Sequence, residues 1–197
     1  MKPRTIALSL LIWLPTLLLA QPKEVIDAYN LNQAIGSMDM EKVKKMIAEA
    51  YDVNYQYNGR SALHTACDKD LLEISKVLIE AGADVNVYSE EGIGRTPLQF
   101  VTGDPMQDLP ELAALLLQNG ADPNRTLDAD QAPLFQSIHL AHVESVKVLL
   151  EHGASIDMKN SMDQNPLDYI NHLIGEWKGD ATTEADWKKI QAILSKK

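Results

Sequence analysis

The stretch Gly59-Arg60-Ser61-Ala62-Leu63-His64-Thr65-Ala66-Cys67, continued by Leu72 to Ala81 and closed by Gly82-Ala83-Asp84-Val85-Asn86, decides the fold. Ser61 is a candidate N-cap, and Leu63, Ala66 and Cys67 supply the inner side of a short first helix. Leu72, Ile74, Val77, Leu78 and Ile79 give an apolar stripe at helical spacing for a second helix. Gly82 stops that helix, because glycine takes the left-handed conformation at no steric cost. One such helix-turn-helix unit cannot bury its own stripe and must stack on copies of itself.

The copies are present in the chain. Ser61-Ala62-Leu63-His64, Thr96-Pro97-Leu98-Gln99, Ala132-Pro133-Leu134-Phe135 and Asn165-Pro166-Leu167-Asp168 align, with their leucines 35, 36 and 33 residues apart. The close repeats as Ala50-Tyr51-Asp52-Val53-Asn54, Gly82-Ala83-Asp84-Val85-Asn86, Gly120-Ala121-Asp122-Pro123-Asn124 and Gly153-Ala154-Ser155-Ile156-Asp157. Pro97, Pro133 and Pro166 suit the first helical position, where the missing N–H costs nothing and φ is preset. Thr96 and Asn165 can cap the exposed N–H groups. These paired motifs resemble the ankyrin-repeat family, with its T-P-L-H opening and G-A-D-x-N close, over about 165 residues. The resemblance implies an all-α solenoid of about five units, at 24–54, 57–87, 91–124, 128–157 and 162–197.

The terminal units read as caps. In the first, Leu31, Ala34 and Ile35 form one helix, Val43, Met46 and Ile47 the other, and Asp39 caps the latter. In the last, a helix from Pro166 to Glu176 is broken at Gly179-Asp180. Thr183 then caps a closing helix carrying Trp187, Ile190, Ile193 and Leu194. The central unit carries two insertions. Glu90-Glu91-Gly92-Ile93-Gly94 lengthens its hairpin, and Gly103 to Pro110 lengthens the turn between its helices. Such insertions mark a binding face or neutral drift.

Upstream, Lys2 and Arg4 precede an apolar run from Ile6 to Leu19. A basic start, a short apolar stretch and a small residue at its end describe a secretory signal peptide at 1–20, cleaved after Ala20, with the repeat domain at 21–197. Leu18 is large for the position three before cleavage, which leaves an uncleaved anchor as the alternative. Removing Lys2 and Arg4 from 18 Lys+Arg leaves 16 against 28 Asp+Glu, a formal charge of −12. Such a surface repels nucleic acid and anionic membranes and suits a protein partner with a basic face. Cys67 is the single cysteine, so no internal disulfide forms.

Little in the chain points to chemistry. His139-x-x-His142 with Glu144 could gather around a metal, but no Cys or His pair recurs with zinc spacing. His64, His142 and His152 occupy positions that are structural in the resembled family. Cys67 and His64 could act as nucleophile and base, yet Cys67 stands where that family buries a small alanine. No catalytic residue, metal site or cofactor is expected.

The family works by presenting a concave surface to a protein. The candidate partner-binding set is Tyr55, Tyr57, Arg60, Asp68, Tyr88, Ile93, Arg95, Asp104 and Met162. The tyrosines fall in hairpins, and tyrosine is enriched at binding hot spots. Arg60 and Arg95 take equivalent places before two successive openings, and Asp68 and Asp104 equivalent places after two first helices. The resemblance implies a non-enzymatic binding protein exported to the periplasm and monomeric when free. It would be an immunity protein that neutralises a toxic effector, or a partner of catalase in stress protection. A secreted effector acting on host proteins and a histidine-based metal carrier are the alternatives.

Overall fold

The computed structural model describes residues 21–197, and the expected signal peptide with its cleavage site falls outside them. Ten α-helices lie among the described residues, paired as five units. They are α1 (Lys23–Gly36) and α2 (Met40–Ala48), α3 (Ala62–Asp68) and α4 (Leu72–Glu80), and α5 (Pro97–Thr102) and α6 (Pro110–Gln118). Then come α7 (Pro133–His139) and α8 (Val143–Glu151), and α9 (Pro166–Glu176) and α10 (Ala181–Leu194). First helices stack on first helices and second on second along the whole series. The single β-bridge among these residues joins Tyr57 to Arg60.

The aligned leucines carry the stack. Leu63, Leu98 and Leu134 are 0–3% exposed. In the last unit Leu167 is only half-buried, and Ile170 takes the enclosed place. On α4 the buried side is Ile74, Ser75 and Leu78. Leu72, expected on the inner stripe, is 36% exposed. It lies two residues from Ile74, hence about 200° round the helix and away from the core.

Ser61 and Thr96 make capping boxes with His64 and Gln99. Asn165 accepts from the Asp168 N–H, and Asp39 from that of Lys42. At the closing helix the cap is Asp180, not Thr183. The Thr183 N–H and hydroxyl both donate to the Asp180 carboxylate, at 2.8 and 3.0 Å, and the helix starts at Ala181. A carboxylate outbids a hydroxyl for the free N–H groups of a helix start.

Helix ends follow one device. Gly82 (φ +89°) donates to Ile79 O and Ala83 to Leu78 O, so two free carbonyls are satisfied. Ala50 (φ +61°) adopts the same left-handed turn without being glycine.

Two sets of side chains join the units. Asn54 Nδ2 donates to Gly82 O and its Oδ1 accepts from Asp84 N–H. Asn86 repeats both bonds with Gly120 and Asp122, and Asn124 with Gly153 and Ser155. The aspartate two residues earlier fixes each asparagine by accepting its N–H. The second set lies under the hairpins. His64, fully enclosed, accepts the Ser61 N–H at Nδ1 (3.2 Å), and its Nε2 donates to Arg95 O (2.9 Å) in the next unit. Gln99 does the same work one unit on: its Oε1 accepts the Thr96 N–H and its Nε2 donates to Gln131 O (2.7 Å).

Helix α10 closes the far end. Trp187 is buried, and its Nε1–H reaches back to Ile138 O at 2.7 Å. Trp177 stands edge-on against it at 4.8 Å.

Candidate functional site

The hairpins and first helices form one continuous side of the stack. Consecutive hairpins are tied by backbone and amide bonds. Glu90 N–H donates to Gly59 O (2.7 Å), and Gln56 Nε2 to Tyr88 O (2.8 Å). The nine sequence-derived candidates all fall on this side, but most of them are engaged within the chain.

Arg60 and Arg95 both lie over the Phe100 ring, at 4.8 and 4.6 Å, which adds a cation–π contact between units two and three. Arg60 also pairs with Asp68 (2.8 Å) and Glu91 (2.5 Å). Arg95 donates from Nη2 to Gln99 O, while its Nε is buried without a partner. Gly103 has no Cβ where one would come within 2.6 Å of Arg95 Nη2, so only glycine leaves that arginine its place. Tyr57 sets its ring edge against Tyr29 at 5.5 Å. Tyr88 lies beneath the Arg125 guanidinium at 4.6 Å. Tyr55 is half-buried.

Asp104 turns back on its own loop and accepts the N–H groups of Met106 and Gln107. The rest of that insertion is structural too. Gln107 Nε2 donates to Asp70, and Asp108 accepts from the N–H groups of Glu144 (2.9 Å) and Ser145 (3.2 Å). Helix α8 therefore receives its N-terminal cap from a loop of the preceding unit, because His142 at its own N-cap position offers none. Asp68, Asp70 and Asp104 gather at the ends of α3 and α5. Burial first, then Asp104 and Asp68, raise the pKa of the Asp70 carboxyl.

Ile93 and Met162 are different. They are 53% and 55% exposed, and Leu127, which the sequence reading passed over, is 63% exposed. The three sit on the hairpins of three successive units. Leu127 Cδ1 lies 3.0 Å from where a Cβ on Gly94 would stand, beside Ile93. The Asp130 carboxylate accepts the Ser161 N–H (2.9 Å), next to Met162. In sequence, Glu90, Glu91, Asp128, Asp130 and Asp163 lie within three residues of these apolar positions, as do Arg125 and Lys159. The signal for Leu127 was a lone apolar residue in a polar hairpin, masked because it stands seven residues before its unit's leucine rather than five.

Most of the chemical candidates are engaged within the fold, while the buried His142 Nδ1 has no partner. Burial pushes the Cys67 thiol up to about 12, where it stays protonated. Burial likewise lowers the His64 imidazole to about 4. His139 Nδ1 is 2.9 Å from the Tyr169 hydroxyl, and His152 Nδ1 donates to Val148 O. Among the described residues no group of three or more His, Cys, Asp or Glu side chains is placed to hold a metal ion, and no helix is long and apolar enough to cross a membrane. On the opposite side, a depression of about 780 Å³ between α8 and α10 contains Lys147 and Lys189, already paired with Glu144 and Asp186.

Comparison with known proteins agrees with this geometry. A family model described as ankyrin repeats (3 copies) matches residues 31–126, and a single ankyrin repeat matches residues 130–161. Neurogenic locus notch homolog protein 1 of Danio rerio is 30% identical over 129 residues, which is 64% of this chain and 5% of that protein. Cyclin-dependent kinase 4 inhibitor B of Rattus norvegicus is 33% identical over 112 residues, 55% of this chain and 79% of that protein. A putative ankyrin repeat protein of fowlpox virus is 30% identical over 112 residues, 56% of this chain and 18% of that protein. The chain thus spans a small fraction of the Notch and viral relatives.

Proposed function

Because this chain belongs to the ankyrin-repeat family, we propose that it acts by binding a protein along its hairpin edge and first-helix groove, with no catalytic step of its own. The observation that carries this is the row Ile93, Leu127 and Met162, apolar and exposed on three consecutive hairpins. Scattered apolar residues on a surface need no explanation, but an aligned row rimmed by charge is the anatomy of an interface. The rat relative is named for inhibiting another protein, which supports binding as a sufficient function.

The net charge of −10 favours a partner with a basic face, drawn in by electrostatic steering. The reading of residues 1–20 as a signal peptide supports a place of action in the periplasm. There the chain would neutralise or protect one specific protein, either as an immunity protein against a toxic effector or beside catalase.

The test is capture of the partner from an extract of the native cell on immobilised protein, followed by affinity measurement. The triple variant Ile93→Asp, Leu127→Asp, Met162→Asp is expected to weaken binding by at least about tenfold, or 1.4 kcal/mol, with an unchanged melting temperature. Glu73→Ala, Lys76→Ala and Lys147→Ala together, on exposed second-helix positions, are expected to leave it intact. Loss with the second set and not the first would place the partner on the opposite face and end this reading.

A further inference from the structure

Between the hairpins and first helices of units four and five runs a groove of about 380 Å³. We propose that this groove receives an arginine side chain of the partner, its guanidinium lying on Tyr169 and paired with Asp130. The proposal rests on the protein-binding reading above and names the chemistry of one contact within it.

The walls are aromatic and held in place. Phe135 meets Tyr169 edge-on at 5.5 Å, and His139 stacks beside Tyr169 at 6.4 Å and 19°. The His139 Nδ1 to Tyr169 hydroxyl contact of 2.9 Å fixes the ring in its plane. A guanidinium is planar, weakly hydrated and attracted to aromatic faces, whereas an ammonium can meet the ring only as a point charge.

Charge selects the same ligand. Asp130 is the carboxylate of this groove, and neither lysine nor arginine lines it. Asp130 forms no ion pair among the described residues. Its hydrogen bonds from Ser161 hold the carboxyl below its ordinary range, so it is ionised at neutral pH. Asp130 and Tyr169 line the same groove, and burial first, then the Asp130 charge, raise the Tyr169 phenol. Arg95 comes close only at the Gly103 end, two units away from Tyr169, where it lies on Phe100 and donates to Gln99 O. Another groove on this side, about 570 Å³ between units one and two, is lined by Arg60, Lys69 and Glu91, and its one carboxylate is already paired with Arg60.

The probe is N-acetyl-arginine amide, titrated into the 15N-labelled protein while the amide resonances of Gln131, Ser161 and Tyr169 are followed. Saturable shifts centred on these residues are expected. N-acetyl-citrulline amide, which keeps the shape and loses the charge, is expected to bind weaker by about tenfold or more, the scale of one charge-assisted hydrogen bond. Asp130→Asn keeps an acceptor for the Ser161 N–H, so the hairpin stays folded, yet it is expected to weaken the arginine probe by a similar factor. Citrulline or N-acetyl-lysine amide binding as well as arginine, shifts centred instead on Asn58 and Glu91, or indifference to Asp130→Asn would each overturn the proposal. With the captured partner, failure is separable. If Asp130→Asn holds the partner at native strength while the hairpin-row variant releases it, the groove proposal falls and the binding reading stands. If neither variant weakens the complex, both fall.

Discussion

Replacing His64 with glutamine should leave the protein about as stable at neutral pH and remove a large part of its sensitivity to acid. His64 is 0% exposed, and its two ring nitrogens are committed. Nδ1 must carry a lone pair, since its partner is the Ser61 N–H, and Nε2 must carry the proton, since its partner is the Arg95 carbonyl. A second proton would displace the Ser61 bond and place a charge in the core. Burial accordingly depresses the imidazole from 6.5 to about 4. The unfolded chain binds more protons than the folded one between these values. The stability contributed by the neutral ring is therefore complete above about pH 6.5 and drains away as pH falls towards 4. At 1.36 kcal/mol per pH unit, the loss attributable to this residue reaches about 2.5 kcal/mol by pH 4.5. Gln99 already performs the same two-sided bridge one unit later with no titratable group. His64→Gln should thus lie within about 1 kcal/mol of the native protein at pH 7, roughly one hydrogen bond. Urea unfolding followed by tryptophan fluorescence at pH 7 and pH 4.5 measures both quantities. If the native and variant proteins lose the same stability over that interval, the imidazole is not the buried neutral bridge described above.

Leu134→Ala, at an enclosed position between the helices of unit four, should cost roughly 2–5 kcal/mol in the same assay, and a loss well under 1 kcal/mol would contradict its burial. Ala141 holds φ at +60°, a conformation costly to any residue with a Cβ, so Ala141→Gly should raise stability by up to about 1 kcal/mol despite the added flexibility of the unfolded chain. Asp108→Ala should destabilise by roughly 0.5–2 kcal/mol, the usual worth of an N-cap, and slow amide exchange at Glu144 and Ser145 should be lost first. The same variant should keep its partner, since the loop serves helix α8 rather than the binding edge.

The period of the chain was readable because it is written in covalent order. Leucines at 63, 98, 134 and 167, prolines one position before three of them and the Gly-Ala-Asp close needed no third dimension. What escaped were relations between units. The matching places of Arg60 and Arg95 suggested two hands held out to a partner, but Phe100, which underlies both, belongs to a helix whose sequence says nothing of its neighbours' arginines. The central insertion could be counted from the spacing, yet only the fold shows Asp108 reaching the start of α8. Thr183 was read as the cap of the closing helix and Asp180 only as part of the break before it, but the Asp180 carboxylate takes the cap three residues earlier. Of the candidate site, Ile93 and Met162 were legible as apolar residues in hairpins. Leu127 was not, because it stands two residues farther from its unit's leucine than Ile93 and Met162 do from theirs, which hides the equivalence that stacking restores.

The asparagine joints give the stack a direction. Each is made by one residue of a unit reaching forward to a backbone carbonyl and N–H that every following unit offers in the same place, so the coupling is sequence-blind on its receiving side. The central unit is also tied to its neighbours more particularly, through Glu91 and Phe100 to Arg60 and through Asp108 to the start of helix α8. In unit four the matching residue is Asp157, which has no amide to give. A carboxylate there can accept but not donate, so the asparagine joint couples the first four units and is missing at the seam between units four and five, where the stack is held by packing and by Trp187 reaching back to Ile138 O.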